Sequence, residues 1–179
     1  QDEEGPYVVM EFLEGKTLHE VVSKAPLVLQ DFLTVAEQSL EALIAAHEAK
    51  LLHRDSKPGN LMLTWLPSGR IQLKLLDFGL AKLREHEESA EKSITRAGPI
   101  LGTPYYMAPE HIRGEDVDAR SDVYAMGALM YKALTGVPPF WSTTPVGVLT
   151  MHLTEDVVAP SEKAPKLDVP PEADRILLR

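Results

Sequence analysis

Four side chains stand at spacings that could do acid–base and metal chemistry: Asp55, Lys57, Asn60 and Asp77. The first three share one polar loop, Leu51-Leu52-His53-Arg54-Asp55-Ser56-Lys57-Pro58-Gly59-Asn60, broken by Pro and Gly and held between apolar runs. Polar loops fixed by rigid flanks are where chemistry concentrates. Asp77 lies beyond two predicted strands, Leu61–Leu66 and Ile71–Leu76, joined by Pro67-Ser68-Gly69-Arg70. A loop over 67–70 sets Asn60 opposite Asp77 at the open end of the hairpin, with Cα atoms about 4.5–5.5 Å apart. An amide and a carboxylate at that spacing can share one hard cation. Mg²⁺ takes oxygen ligands and keeps waters or phosphate oxygens in its other positions. Asp55 adds a second carboxylate and Lys57 an ammonium. Together these groups suit phosphoryl transfer. The metal and Lys57 offset phosphate charge, and Asp55 accepts a proton from an attacking hydroxyl.

The elements that must position these groups follow from periodicity and breakers. Tyr7 to Phe12 reads as a buried strand ended by Glu14-Gly15, and Thr17 to Ser23 as a short helix with Leu18, Val21 and Val22 on one side. From Asp31 to Lys50, Leu33, Ala36, Leu40, Leu43, Ile44 and His47 recur at helical steps, which predicts an amphipathic helix with that stripe toward a core. Val123 to Leu134 carries one charge, Lys132, and predicts a helix buried at the domain centre, stopped by Gly136 and Pro138-Pro139. A short helix is expected near Val146 to Leu153, and another begins at Glu172. The stretch holding Glu85, Glu87, Glu88 and Glu91 reads as solvated and mobile.

Composition bounds the class. The 179 residues are 44 % apolar and 25 % charged, the balance of a soluble globular protein rather than a disordered or collagenous chain. A net charge of −9 repels nucleic-acid phosphates. The absence of cysteine removes disulfides, thiolate nucleophiles and Cys-type zinc sites, and fits a cytoplasmic setting. No apolar stretch is long enough to span a bilayer. The opening at Gln1 and the uncapped final helix lead us to expect a fragment truncated at both ends, with membrane anchoring of a longer parent left open.

The motifs then meet a family. His53-Arg54-Asp55-Ser56-Lys57-Pro58-Gly59-Asn60, Asp77-Phe78-Gly79 and Ala108-Pro109-Glu110, in that order, resemble the protein kinase signature set. Gly102-Thr103-Pro104-Tyr105-Tyr106-Met107-Ala108-Pro109-Glu110 and Asp122-Val123-Tyr124-Ala125-Met126-Gly127 are similar to kinase segments as well. Lys57-Pro58-Gly59-Asn60 and Leu134-Thr135-Gly136-Val137-Pro138-Pro139-Phe140 resemble the bacterial eukaryotic-like (Hanks-type) serine/threonine kinases. The resemblance covers essentially the whole chain. It implies an α+β, mainly helical fold: the large C-terminal lobe of a kinase with short β-hairpins and the hinge strand, the small lobe missing.

The resemblance also implies roles. Asp55 is the expected catalytic base, Lys57 the contact to the transferring phosphate, and Asn60 and Asp77 the Mg²⁺ ligands. Met10 stands at the gatekeeper position, the backbone groups of Glu11 and Leu13 face adenine, and Met62 lies beneath it. Lys57 and Thr103, the latter in the peptide platform, mark the serine/threonine branch. Arg54 before Asp55 resembles kinases switched by phosphorylation, with Ser93 and Thr95 as candidate phosphosites. The expected function is transfer of the ATP γ-phosphate to Ser or Thr hydroxyls of proteins, with ATP and Mg²⁺ as cofactors. The alternative is a pseudokinase-type interaction module without catalysis.

Departures and plainer roles stand beside these. The 179 residues contain no Gly-x-Gly-x-x-Gly, no Val-Ala-Ile-Lys strand and no helix glutamate to pair with its lysine, so the fragment alone is expected to be inactive. Ser56 occupies a usually apolar position, and the arginine that pairs with Glu110 in the family is expected beyond Arg179. His53 is expected to pack on Phe78, and His47 to sit at the core edge. Trp65 and Trp141 are expected to pack. Asp122 is expected to N-cap the buried helix, and by resemblance also to brace the catalytic loop.

Overall fold

The computed structural model describes residues 9–78 and 104–179. Tyr7, Val8, Gly79, the Glu85–Glu91 cluster, Ser93, Thr95, Gly102 and Thr103 therefore lie outside the described residues. The described part is mainly helical, with one antiparallel sheet of three strands. Strand β1 (Lys16–Thr17) pairs with β2 (Leu61–Trp65), which pairs with β3 (Ile71–Leu75). Helix α1 (Leu18–Val22) follows β1 directly. The Thr17 hydroxyl accepts from the Glu20 N–H while the Glu20 carboxylate accepts from the Thr17 N–H, so each satisfies an orphan donor at the helix start. After α2 (Leu29–Glu48) and the hairpin come α3 (Pro109–Ile112), α4 (Ala119–Thr135), α5 (Pro145–Thr154), α6 (Pro160–Lys163) and α7 (Pro171–Leu177).

The core forms where α1, α2 and the sheet meet α4. Leu18, Val35, Leu61, Leu63, Met126 and Leu129 are all but inaccessible. Helix α4 ends at Gly136, whose φ of 83° is the left-handed conformation that closes a helix without a Cβ penalty. Its position at the centre, with Met126, Leu129, Met130, Ala133 and Leu134 all buried, matches the expectation, although Val123 faces outward.

Several expectations need correction. Residues 9–14 form no strand: Val9, Met10 and Phe12 are exposed, because no neighbouring strand among the described residues pairs with them or covers them. On α2 the buried stripe is Phe32, Val35, Ser39, Leu43 and Ala46, not the one centred on Leu40. Leu33, Leu40 and Ile44 are exposed. Both stripes have helical spacing. Polar Ser39 is tolerated in the buried stripe because its hydroxyl donates to the Val35 carbonyl at 2.6 Å and so carries no unmet bond inside.

The hairpin register also differs by one residue. Leu61 pairs with Leu75 and Trp65 with Ile71, so the ladder runs Asn60 opposite Leu76 and not opposite Asp77. The Leu76 N–H donates to the Asn60 carbonyl at 2.8 Å. The cause is the turn. Leu66 N–H donates to the Arg70 carbonyl at 3.0 Å, leaving 67–69 as a three-residue loop with Gly69 at φ 80°. A type I turn closed by a left-handed glycine is the common three-residue hairpin solution.

Asp122 does not cap α4. Asp118 does, its carboxylate accepting from the Arg120 N–H at 2.8 Å, and Asp122 sits within the first turn. Trp65 and Trp141 are exposed rather than packed: Trp65 shares the face of buried Leu61 and Leu63 but lies at the strand end, past the core's cover, and Phe140 takes the buried place beside Trp141.

Candidate active site

The loop from Leu51 to Lys57 has no regular structure of its own and ends in a 3₁₀ turn, Pro58–Asn60. Such a segment needs outside partners for its backbone groups, and Asp122 supplies them. Its carboxylate is 2 % exposed and accepts the N–H of His53 and the N–H of Arg54, each at 2.8 Å. His47 Nε2, on α2, donates to the same carboxylate at 2.9 Å. The bonds to a buried carboxylate are charge-assisted, and together they hold Arg54 at φ 65°, a left-handed conformation costly for a residue with a Cβ.

His53 joins this loop to the end of β3. It is fully buried, its ring stacks obliquely on Phe78 at 4.9 Å, and its Nε2 lies 2.9 Å from the Leu76 carbonyl. A carbonyl can only accept, so Nε2 carries the proton and Nδ1 is the acceptor that receives the Asp55 N–H at 3.3 Å. Burial pushes the imidazole below its ordinary pKa, against the pull of the Asp122, Asp55 and Asp77 carboxylates and the Leu76 carbonyl. His53 is thus a neutral pin between the loop and the Asp77 turn. The expected packing on Phe78 is present.

The chemistry-bearing side chains converge around Asp55. Lys57 Nζ lies 2.5 Å from Asp55 Oδ2, with both side chains about one-third exposed. Asn60 is 5 % exposed, and its Nδ2 donates to the Asp55 carbonyl at 2.8 Å and lies 3.4 Å from Asp55 Oδ2. These bonds fix the amide orientation, since a carbonyl cannot donate. Asn60 Oδ1 is left with no hydrogen bond among the described residues. Asp77 stands at φ 60°, exposed, one residue past the last rung of the ladder. An amide oxygen and a carboxylate without hydrogen bonds among the described residues, at the open end of a hairpin, are oxygen donors of the kind Mg²⁺ takes, so the donor set fits the metal. The described residues hold no cluster of three or more His, Cys, Asp or Glu side chains that could bind a metal unaided.

Around this centre, Met62 on β2 pairs with Lys74 on β3. Lys74 Nζ reaches Glu11 at 2.7 and 2.6 Å, which ties the segment of Met10, Glu11 and Leu13 to the sheet face beside Met62. Glu110 is half-buried and accepts a hydrogen bond from the Ser121 hydroxyl. Ser56 is 4 % exposed, and its hydroxyl has no partner among the described residues. His47 was missed as a bracing residue. Its spacing on α2 marked it for the core edge, and nothing local indicated a carboxylate on α4 as its partner.

Comparison with known proteins gives the family. The protein kinase domain profile matches residues 1–174. The chain belongs to the protein kinase family. Among the similar curated kinases, serine/threonine-protein kinase pkn3 of Myxococcus xanthus is 39 % identical over 100 % of this chain and 33 % of its own length. Serine/threonine-protein kinase PknB of Mycolicibacterium smegmatis is 38 % identical over 97 % of this chain and 27 % of its own. A probable serine/threonine-protein kinase, SCO3848 of Streptomyces coelicolor, is 40 % identical over 97 % of this chain and 25 % of its own. These relatives place the kinase domain in the bacterial eukaryotic-like branch, and the mainly helical fold with its small sheet fits a lobe of such a domain. The chain spans a quarter to a third of the length of the relatives it matches. No helix among the described residues is long and apolar enough to cross a membrane.

Proposed function

We propose that this chain carries the catalytic loop of an ATP-dependent serine/threonine protein kinase acting in the cytoplasm on protein hydroxyls. The observation that supports it is the convergence of Lys57 and Asn60 on Asp55, within a loop stapled to α4 by Asp122. Asp55 takes the proton of the attacking Ser or Thr hydroxyl at its Oδ1, which accepts no hydrogen bond among the described residues. Lys57, paired with Asp55, offers its ammonium to the transferred phosphate. Asn60 Oδ1 and the Asp77 carboxylate would hold Mg²⁺, which would supply charge neutralisation to the phosphates of ATP, the donor of the γ-phosphate. Met10, Glu11, Leu13 and Met62 form the adenine edge of the site, and Arg54 answers a phosphate on Ser93 or Thr95.

Asp55→Asn in the full-length protein is expected to lower kcat about a thousandfold with the fold intact, the usual scale for a general base. Phosphate incorporation into a protein acceptor, followed with ATP and Mg²⁺, measures it. A wild-type protein that transfers nothing would leave the pseudokinase-type module as the better description. Residues 1–179 alone are proposed to bind ATP–Mg²⁺ weakly and to transfer no phosphate, since they hold neither a glycine-rich loop nor a strand lysine to close over the nucleotide. Detectable peptide phosphorylation by the purified chain would contradict this.

A further inference from the structure

Apart from Ser56 Oγ, one other buried side-chain polar atom lacks a partner among the described residues: Nε2 of His152, on α5. The residue is 5 % exposed. Its Nδ1 lies 2.7 Å from the Tyr124 hydroxyl on α4. Phe140 meets the ring nearly edge-on at 4.8 Å, and the Tyr124 ring lies at 5.7 Å. The carbonyls of Pro104 and Tyr105 face the imidazole closely enough to favour a proton on it, although neither makes a hydrogen bond of good geometry with Nε2. Those carbonyls belong to the 3₁₀ turn Pro104–Tyr106, which packs against both α4 and α5.

The tautomer follows from these neighbours. Tyr124 can donate to Nδ1 or accept from it. Were the proton on Nδ1, a bare Nε2 lone pair would face two carbonyl oxygens in a space closed to water. With the phenol donating to Nδ1, the Nε2 proton instead faces those oxygens. Electrostatics selects the second arrangement. None of the ring's named partners belongs to the loop that carries Asp55, Lys57 and Asn60.

We propose that His152, fixed as its Nε2–H tautomer by Tyr124, is a positioning residue for the protein substrate, holding the Pro104–Tyr106 turn at the end of the peptide platform. It touches neither nucleotide nor reacting atoms, so it governs how the acceptor is seated. The proposal rests on the kinase function proposed above.

The test uses the full-length protein with myelin basic protein as acceptor. His152→Leu, which removes both the Tyr124 bond and the Nε2–H that faces the turn carbonyls, is expected to raise the KM for the acceptor about tenfold. The KM for ATP and kcat should stay within about twofold, since ground-state seating alone is disturbed. His152→Gln, whose side-chain amide reaches the Nε2 position, should restore most of the loss. Tyr124→Phe, which keeps the packing, should give an intermediate effect and serves if His152→Leu fails to fold. Parallel losses in kcat and in the KM for ATP, or Gln no better than Leu, would overturn the latch. If the wild-type protein transfers no phosphate, the kinase function fails separately, and ¹⁵N chemical shifts of His152 still decide the latch. Nε2–H upholds it, and Nδ1–H ends it.

Discussion

Ser56 sits next to the proposed base, yet its hydroxyl is buried without a partner among the described residues. A desolvated hydroxyl that makes no bond costs about 1–3 kcal/mol. Ser56→Ala removes the donor and leaves only a small void, so it should stabilise the protein by about 1 kcal/mol. Chemical denaturation reads the change, and kcat should not move, because no reacting group is touched. At this scale the sequence was most informative where chemistry is local. Asp55, Lys57 and Asn60 lie so close along the chain that any compact loop brings them together, and they do converge. The bracing set was less legible. His47 and Asp122 are 75 residues apart, and only the packing of α2 against α4 makes them partners.

At the scale of elements, the hairpin shows how one torsion redirects a site. Counting 67–70 as the loop gives a symmetric four-residue turn and the wrong register. The left-handed φ of 80° at Gly69 shortens the loop by one and moves Asp77 one step beyond the ladder. A residue with a Cβ resists that conformation by about 1–2 kcal/mol. Gly69→Ala should therefore lower stability by about 1 kcal/mol, read as a shift of the denaturation midpoint at unchanged slope. The helices were easier to foresee than the faces they bury. On α2 two apolar stripes compete at the same period, and burial is decided by what α4 and the sheet present. Periodicity alone cannot rank Phe32 and Val35 above Leu33 and Leu40, although it does place Leu43 inside.

Across the whole molecule, two buried neutral histidines link α4, α5, the sheet and the loop that carries Asp55, and both are held below their ordinary pKa mainly by burial. For His152 the value falls to about 4, and the phenol it meets, Tyr124, is itself pushed up to about 12 by burial and stays neutral. In the unfolded chain both rings take up a proton near pH 6.5. The folded state refuses it until lower pH, so between these limits the unfolded state binds more protons and stability must fall as pH falls. The loss should begin below about pH 6.5, continue toward pH 4 and then level off for His152. Its size should be up to roughly 3 kcal/mol from that residue. His152→Gln carries no titrating ring and should flatten much of this slope, whereas Gln72→Ala, at an exposed position with no titrating group, should leave it unchanged. Urea midpoints measured from pH 7 to pH 4 on the three proteins separate the outcomes. Equal slopes in all three would mean that burial of the His152 ring does not depress its protonation.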